Sequence, residues 1–256
     1  MKASVLGHTT ALTGAIALVL LSGLAGAGRS GGPGAVSGRD GAVDLTGYWV
    51  SVITQNWRLR MVVPPRGDYM GIPMTLEAKK VADAWDPARD EATGNQCRGY
   101  GAAAIMTLPE RLHITWQDDN TLKMEIDAGL QTRLLHFGGS APDSGRPSWQ
   151  GRSVAAWIPR RGPGIAPSTP AAKYLQVTTT NLRPGYLRKN GVPYGEKATL
   201  TEYYDLFSEP TGETWVIVTT VVADPVYLEN PLILTAQFMK ETDGSRWDPT
   251  PCSARW

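Results

Sequence analysis

Apolar and polar residues alternate most strictly between Arg111 and Asp127, which reads RLHITWQDDNTLKMEID. Leu112, Ile114 and Trp116 interleave with Arg111, His113, Thr115 and Gln117; Leu122, Met124 and Ile126 interleave with Lys123, Glu125 and Asp127. A period of two belongs to a strand with one buried face. The Asp118-Asp119-Asn120 tip carries turn residues, and Asn tolerates the left-handed conformation that closes a three-residue hairpin loop. Only one register puts every apolar residue on a common face: Trp116 opposite Leu122, Ile114 opposite Met124, Leu112 opposite Ile126. That register sets His113 across from Glu125 and Arg111 across from Asp127.

The same alternation recurs along the chain. Asp44 to Val63 predicts one long strand, or two broken near Gln55-Asn56, stopped by Pro64-Pro65-Arg66-Gly67. Thr75 to about Asp86 is the one helix expected: Thr75 caps it, Glu77 suits its positive end, and Pro87 ends it. Leu76, Val81, Ala84 and Trp85 would form its apolar stripe. The apolar stretch Tyr100 to Leu108 leads through Pro109 into the central hairpin. Beyond Gly129, which suits a bend or bulge, Gln131, Arg133, Leu135 and Phe137 alternate with Leu130, Thr132, Leu134 and His136. Trp149 to Trp157, Tyr174 to Thr180, Ala198 to Phe207, Thr214 to Val222 and Leu232 to Lys240 predict further strands. Thr214 to Val222 is β-branched and apolar on both faces, so it is expected to be central or covered by the helix. Roughly eight to ten strands with one short helix, and no alternation of helix with strand, imply an antiparallel all-β fold. The expectation is a lipocalin-like up-and-down barrel, with a two-sheet β-sandwich as the alternative.

The N-terminus adds a compartment. Lys2 precedes an apolar run from Ala11 to Leu24, and Ala25-Gly26-Ala27 matches a signal-peptidase site, so Met1 to about Ala27 reads as a signal peptide. The run falls short of the roughly 20 residues of a membrane span, so none is expected after the signal is removed. Gly28 to Val43 is a Gly-rich linker, and Asp44 to Trp256 is long enough for a single domain. Basic and acidic residues number 25 and 24, which argues against a nucleic-acid partner. The two cysteines, Cys97 and Cys252, favour a disulfide in an exported chain, worth on the order of 4 kcal/mol. His113 and His136 stand far in sequence from either cysteine, which leaves a metal site unsupported.

The order of these pieces resembles a family of secreted bacterial proteins with a lipocalin-like barrel and no established activity. The pieces are Cys97 with its following Gly-containing apolar run and Pro109, the I-x-W strand at Ile114 with E-x-D at Glu125, and Arg133. W-x-G-x-S at Trp149, T-x-N at Thr179, L-T-E-Y-Y-D at Leu200, Asp224-Pro225 and Cys252 complete the order. The resemblance implies the barrel and an export context. Where the family carries an acid in a T-L-V-V-D-T strand, this chain has Y-L-Q-V-T-T at 174–179, so no acid role carries over there.

Candidate chemistry then centres on the hairpin. If its polar row lines a barrel mouth, Glu125 orients His113 as an acid/base, with Asp127, Arg133 and His136 holding an anionic or carbonyl group. Trp57 would wall that cavity, with Trp116 and Tyr203 as further lining. If the row faces solvent instead, His113–Glu125 and Arg111–Asp127 are cross-strand pairs contributing well under about 1 kcal/mol each. No P-loop, dinucleotide fingerprint, H-E-x-x-H, C-x-x-C or G-x-S-x-G is present, so no cofactor is expected. Two main classes follow: an exported barrel binding a small, largely apolar ligand in an aromatic-lined cavity, nine tryptophans being available, or a cofactor-independent acid/base enzyme. An envelope structural subunit is the third.

Overall fold

The computed structural model describes residues 38–39, 43–139, 145–160 and 173–255. The signal-peptide segment and most of the Gly-rich linker lie outside the described residues, and the barrel belongs to the unit from Ala35 to Trp256. Its strands are β1 (Gly47–Val52), β2 (Arg111–Asp118), β3 (Thr121–Ile126), β4 (Gln131–His136), β5 (Arg152–Pro159), β6 (Lys173–Thr180), β7 (Gly185–Arg188), β8 (Val192–Tyr194), β9 (Thr199–Ser208), β10 (Thr214–Ala223) and β11 (Leu232–Glu241). Nine of them close a barrel in the order β1-β11-β10-β9-β6-β5-β4-β3-β2, and β7 and β8 form a separate hairpin. The all-β barrel is borne out.

The β2–β3 hairpin takes the register that the alternation predicts, with Leu112, Ile114 and Trp116 opposite Ile126, Met124 and Leu122. Its tip is tighter than expected. Asp118 pairs with Thr121 after a register shift beyond Trp116, so the loop has two residues, and Asp118 Oδ1 accepts the Asn120 N–H at 2.8 Å. The strictly antiparallel expectation also needs correction: β4 and β5 run parallel, Leu135 beside Ser153. A parallel neighbour must start at the same end as its partner. The connection 137–151 has the length of about a dozen residues or more that such a return demands.

Helices are more numerous than the one expected. Among the described residues they are α1 (Trp57–Met61), α2 (Leu76–Asp83), α3 (Pro87–Ala92) and α4 (Ala102–Ile105). The long strand over Asp44–Val63 stops at Val52, because Asn56 adopts a left-handed conformation (φ 53°) and α1 begins behind it. Thr75 caps α2 as expected, accepting the Ala78 N–H at 3.1 Å. The buried face of α2 is Ala78 and Ala82, whereas Leu76 of the expected stripe is 79% exposed. Small residues let the helix approach closely. Pro87 starts α3 behind the Asp86 cap, since a first-turn position needs no N–H.

Side chains fill the barrel. Trp49, Leu112, Ile114, Met124, Leu135, Tyr204, Val218 and Phe238 belong to one buried cluster. Trp49 is fully buried and donates its Nε1–H to the Leu45 carbonyl at 2.9 Å. At the end with the β2–β3 tip, the Phe137 ring lies 5.4 Å from Trp116 and 5.7 Å from Trp157. Gly38 is buried over them. Its N–H donates to Asn120 Oδ1 at 2.9 Å and its carbonyl accepts from Trp157 at 2.7 Å. A Cβ there would meet the Phe137 ring at 2.6 Å, so this part of the linker is docked rather than a free tether. The four helices and the β7–β8 hairpin lie toward the opposite end, where Leu187, Val192, Leu200 and Leu228 form a second apolar cluster.

Candidate functional site

Parity decides where the expected site residues go. Leu112 and Ile114 point inward, so His113 points outward, and its strand partner Glu125 with it. His113 Nδ1 and Glu125 Oε2 are 3.2 Å apart, with side chains 27% and 35% exposed, and Lys123 Nζ shares the same oxygen at 3.0 Å. The imidazole stacks on Tyr48 at 4.1 Å. The pair is formed, but on the outer face of the barrel. Glu125→Gln is expected to change stability by less than about 1 kcal/mol, checked by urea denaturation.

The other candidates scatter for similar reasons. His136 and Tyr203 lie on outward parity: His136 Nδ1 is 3.4 Å from Thr121 Oγ1, and Tyr203 packs beside Tyr174 at 5.9 Å. Burial lowers the His136 pKa, against the raising effect of Asp118. Trp116 belongs to the tip end, and Trp57 is 63% exposed on α1. Asp127 is buried and structural. Its Oδ1 accepts the Arg111 N–H at 2.7 Å, and its carbonyl accepts the Thr250 N–H at 3.0 Å. The Arg111 side chain turns instead to Glu241, at 3.1 Å. Burial raises the Asp127 pKa, opposed by the Arg111 and Ala128 backbone N–H groups that favour its carboxylate.

Arg133 alone of the charged candidates points into the barrel core, where it meets Glu202. The guanidinium is bidentate, Nη1 to Oε1 at 2.9 Å and Nη2 to Oε2 at 2.5 Å, and both side chains are 0% exposed. Nη2 also donates to Thr179 Oγ1 at 3.3 Å, which lies 2.8 Å from Ser153 Oγ. Burial alone would lower the Arg133 pKa, but Glu202 and Tyr204 outweigh it and raise it. This is a sealed ion pair that fixes the packing of β4, β6 and β9.

An open cavity lies elsewhere, at the helical end. A cavity of about 120 Å³ lies among α1, the 104–108 segment, the β7–β8 turn and the start of β11. Gln55 and Asn56 sit at its edge, Gln55 Nε2 reaching the Thr235 carbonyl at 3.3 Å. Arg60 lines it and donates Nε–H to the Thr107 carbonyl at 2.7 Å, tying α1 to the turn after α4. Arg188 donates to the Met70 carbonyl at 3.0 Å, and Asn190 Nδ2 donates to the Asp68 carbonyl at 2.9 Å. These bonds pin the 65–72 segment over the β7–β8 turn. The walls are Leu59, Ile72, Leu108, Leu187, Leu232 and Leu234, and among the described residues no tryptophan lines this cavity. The expectation of aromatic lining fails here because Trp49 is a core residue, Trp116 and Trp157 pack at the far end, and Trp149 lies under Arg183 at 4.1 Å.

Beside this cavity is a group of ionisable side chains absent from the expected set. Glu110 is fully buried one step before β2, its N–H bonded to Ser51 Oγ at 2.9 Å. Neither carboxyl oxygen has a hydrogen-bond partner among the described residues. Burial, reinforced by Asp127 and opposed by Arg60, Arg133 and Lys189, raises its pKa well above the carboxylate range and favours the neutral acid. Burial also lowers the Arg60 pKa and pushes Lys189 down to about 7, with Glu110 opposing both. Glu110 was legible: it shares parity with Leu112 and Ile114, a charge at a core position. Lys189 lies in a turn that no periodicity marks.

The lowered pKa of Lys189 has a consequence for stability. Between about 7 and its ordinary 10.5 the unfolded chain holds a proton that the folded chain lacks, so stability rises with pH across that window. The penalty is complete below the folded value. Lys189→Met is expected to flatten this rise, checked by urea denaturation at pH values of about 6.5 and 9.5; an unaltered pH difference would contradict it.

Among the described residues no three His, Cys, Asp or Glu side chains converge as metal ligands would. Cys97 and Cys252 form a disulfide. No described helix is long and apolar enough to cross a membrane. Comparison of the chain with family models, curated proteins and solved structures finds no match.

Proposed function

We propose that this is an exported barrel protein that binds a small, largely apolar ligand in the cavity at its helical end. The observation that carries the proposal is that cavity of about 120 Å³, walled by six aliphatic side chains and reaching a rim where Ile233 is 65% exposed. A pocket of this chemistry, convergent apolar walls with a few polar groups, is the usual form of a small-molecule site. Its size suits a buried portion of about six non-hydrogen atoms, the benzene that a cavity of about 150 Å³ accepts. Export is supported by the leader pattern over Met1–Ala27 and by the disulfide, which an oxidising compartment maintains. The acid/base alternative moves with the geometry, from His113 and Glu125, which face outward, to Lys189, which lines the cavity, with the carboxyl of Glu110 buried nearby.

The test is a heteronuclear NMR titration with small alkanes, alcohols and acids. Saturable shifts are expected at Leu59, Leu187 and Leu234, and they should vanish in Leu234→Trp, which fills the cavity. A folded wild type whose methyl groups there ignore every probe would end the binding proposal.

A further inference from the structure

From the charge of this cavity we infer the class of its ligand: a small aliphatic carboxylate, its acid group among Arg60, Arg188 and Lys189 and its tail along the leucine wall. This rests on the proposal that the cavity is a binding site. Among the described residues three basic side chains line it, and no acidic one does. The hydrogen bonds that position two of them go to neutral acceptors: Arg60 Nε to the Thr107 carbonyl and Arg188 Nη1 to the Met70 carbonyl. The terminal nitrogens of Arg60, Nη1 and Nη2, are buried with no hydrogen-bond partner among the described residues. Asp68 acts on Arg188 but is bonded to Arg58 at 2.7 Å, and Glu110 lies in the barrel beneath, where burial favours its uncharged form.

Positive charge is therefore gathered in a partly desolvated place. All three cations are disfavoured by that desolvation, and the Glu110 and Asp68 contributions do not restore their ordinary pKa values. A bound carboxylate supplies negative charge there and makes charge-assisted hydrogen bonds. The rest of the wall excludes a purely polar anion as the best fit. Leu59, Ile72, Leu108, Leu187, Leu232 and Leu234 gain nothing from a free phosphate or sulfate, but do gain from a short alkyl chain.

The experiment is isothermal titration calorimetry at neutral pH with hexanoate, hexanol and hexylamine, equal in chain length and different in head group. Hexanoate is expected to bind at least about tenfold more tightly than hexanol, the worth of one hydrogen bond to a charged group, with hexylamine the weakest. In Lys189→Met and in Arg188→Met the hexanoate-to-hexanol ratio should fall at least about threefold. Hexanol binding as tightly as hexanoate overturns the carboxylate inference and leaves the apolar-ligand proposal standing. Failure of all three to bind a folded wild type overturns both. A ratio unchanged in both variants overturns the placement of the acid group, and circular dichroism confirms that each variant is folded.

Discussion

Arg133→Met is expected to destabilise the protein by about 3–5 kcal/mol, although Met nearly matches the volume it replaces. The loss comes from Glu202. Its carboxylate is 0% exposed and receives both terminal nitrogens of Arg133, so the substitution leaves it charged, buried and without its cation. Tyr204 donates to Glu202 Oε1 at 3.2 Å and cannot neutralise it. Glu202→Leu alone strands the guanidinium with a similar loss. Removing both should recover most of the stability, because an apolar pair of similar volume avoids the desolvation cost of two ions. Urea denaturation of the four proteins of this double-mutant cycle measures the coupling. A single substitution costing under about 1 kcal/mol, or a double as unstable as the sum of the singles, would show that the pair is not the sealed one described.

Replacing both Cys97 and Cys252 with Ser is expected to cost about 4 kcal/mol, which for a domain of this size lowers Tm by roughly 10 °C. The bond closes a loop with a sequence separation of 155, so it withholds substantial freedom from the unfolded chain. It also anchors the C-terminal tail on the turn that leads into α4. The Tyr100 hydroxyl accepts the Ser253 N–H at 3.3 Å, and the Thr250 N–H reaches the Asp127 carbonyl at 3.0 Å. Gly129 at φ 78° packs against the same Tyr100 ring, where a Cβ would come within 2.5 Å. Loss of the bond should therefore loosen the tail first. Thermal unfolding with and without reductant checks the prediction, and hydrogen exchange over 245–255 reports the local part. A wild type whose Tm ignores a reductant that demonstrably opens the bond would contradict it.

Strand-level order was legible because alternation is a local signal. Each apolar residue of the 111–127 hairpin has one partner that keeps the oily face continuous, and a slip by one residue would expose them all. The failures arose where that signal ends. Asn56 turns the chain into α1 through a backbone conformation that periodicity does not show, and the tight tip depends on Asp118 bonding the Asn120 N–H. Glu110 lies one step before the strict alternation begins at Arg111, on the inward face and next to Pro109, where the pattern is broken. His136 and Arg133 stand on opposite parities of β4, so they face opposite sides of the sheet. Arg133 and Glu202 were each visible as charges among inward apolar neighbours, Leu135 and Leu200, but their pairing spans 69 residues.

By itself the sequence determined the all-β class, the register of β2 and β3, the cap of α2 and the two cysteines available for a disulfide. Those follow from period, turn chemistry and residue type, which act over a few positions. Tertiary structure alone decided that the hairpin's polar row faces outward, that β5 returns parallel to β4, and that Arg60, Arg188 and Lys189 share a cavity. Barrel closure sets which side of each strand is inside. A site assembled from α1, a turn and the start of β11 has no sequence period to announce it, because its members meet only after the strands have closed.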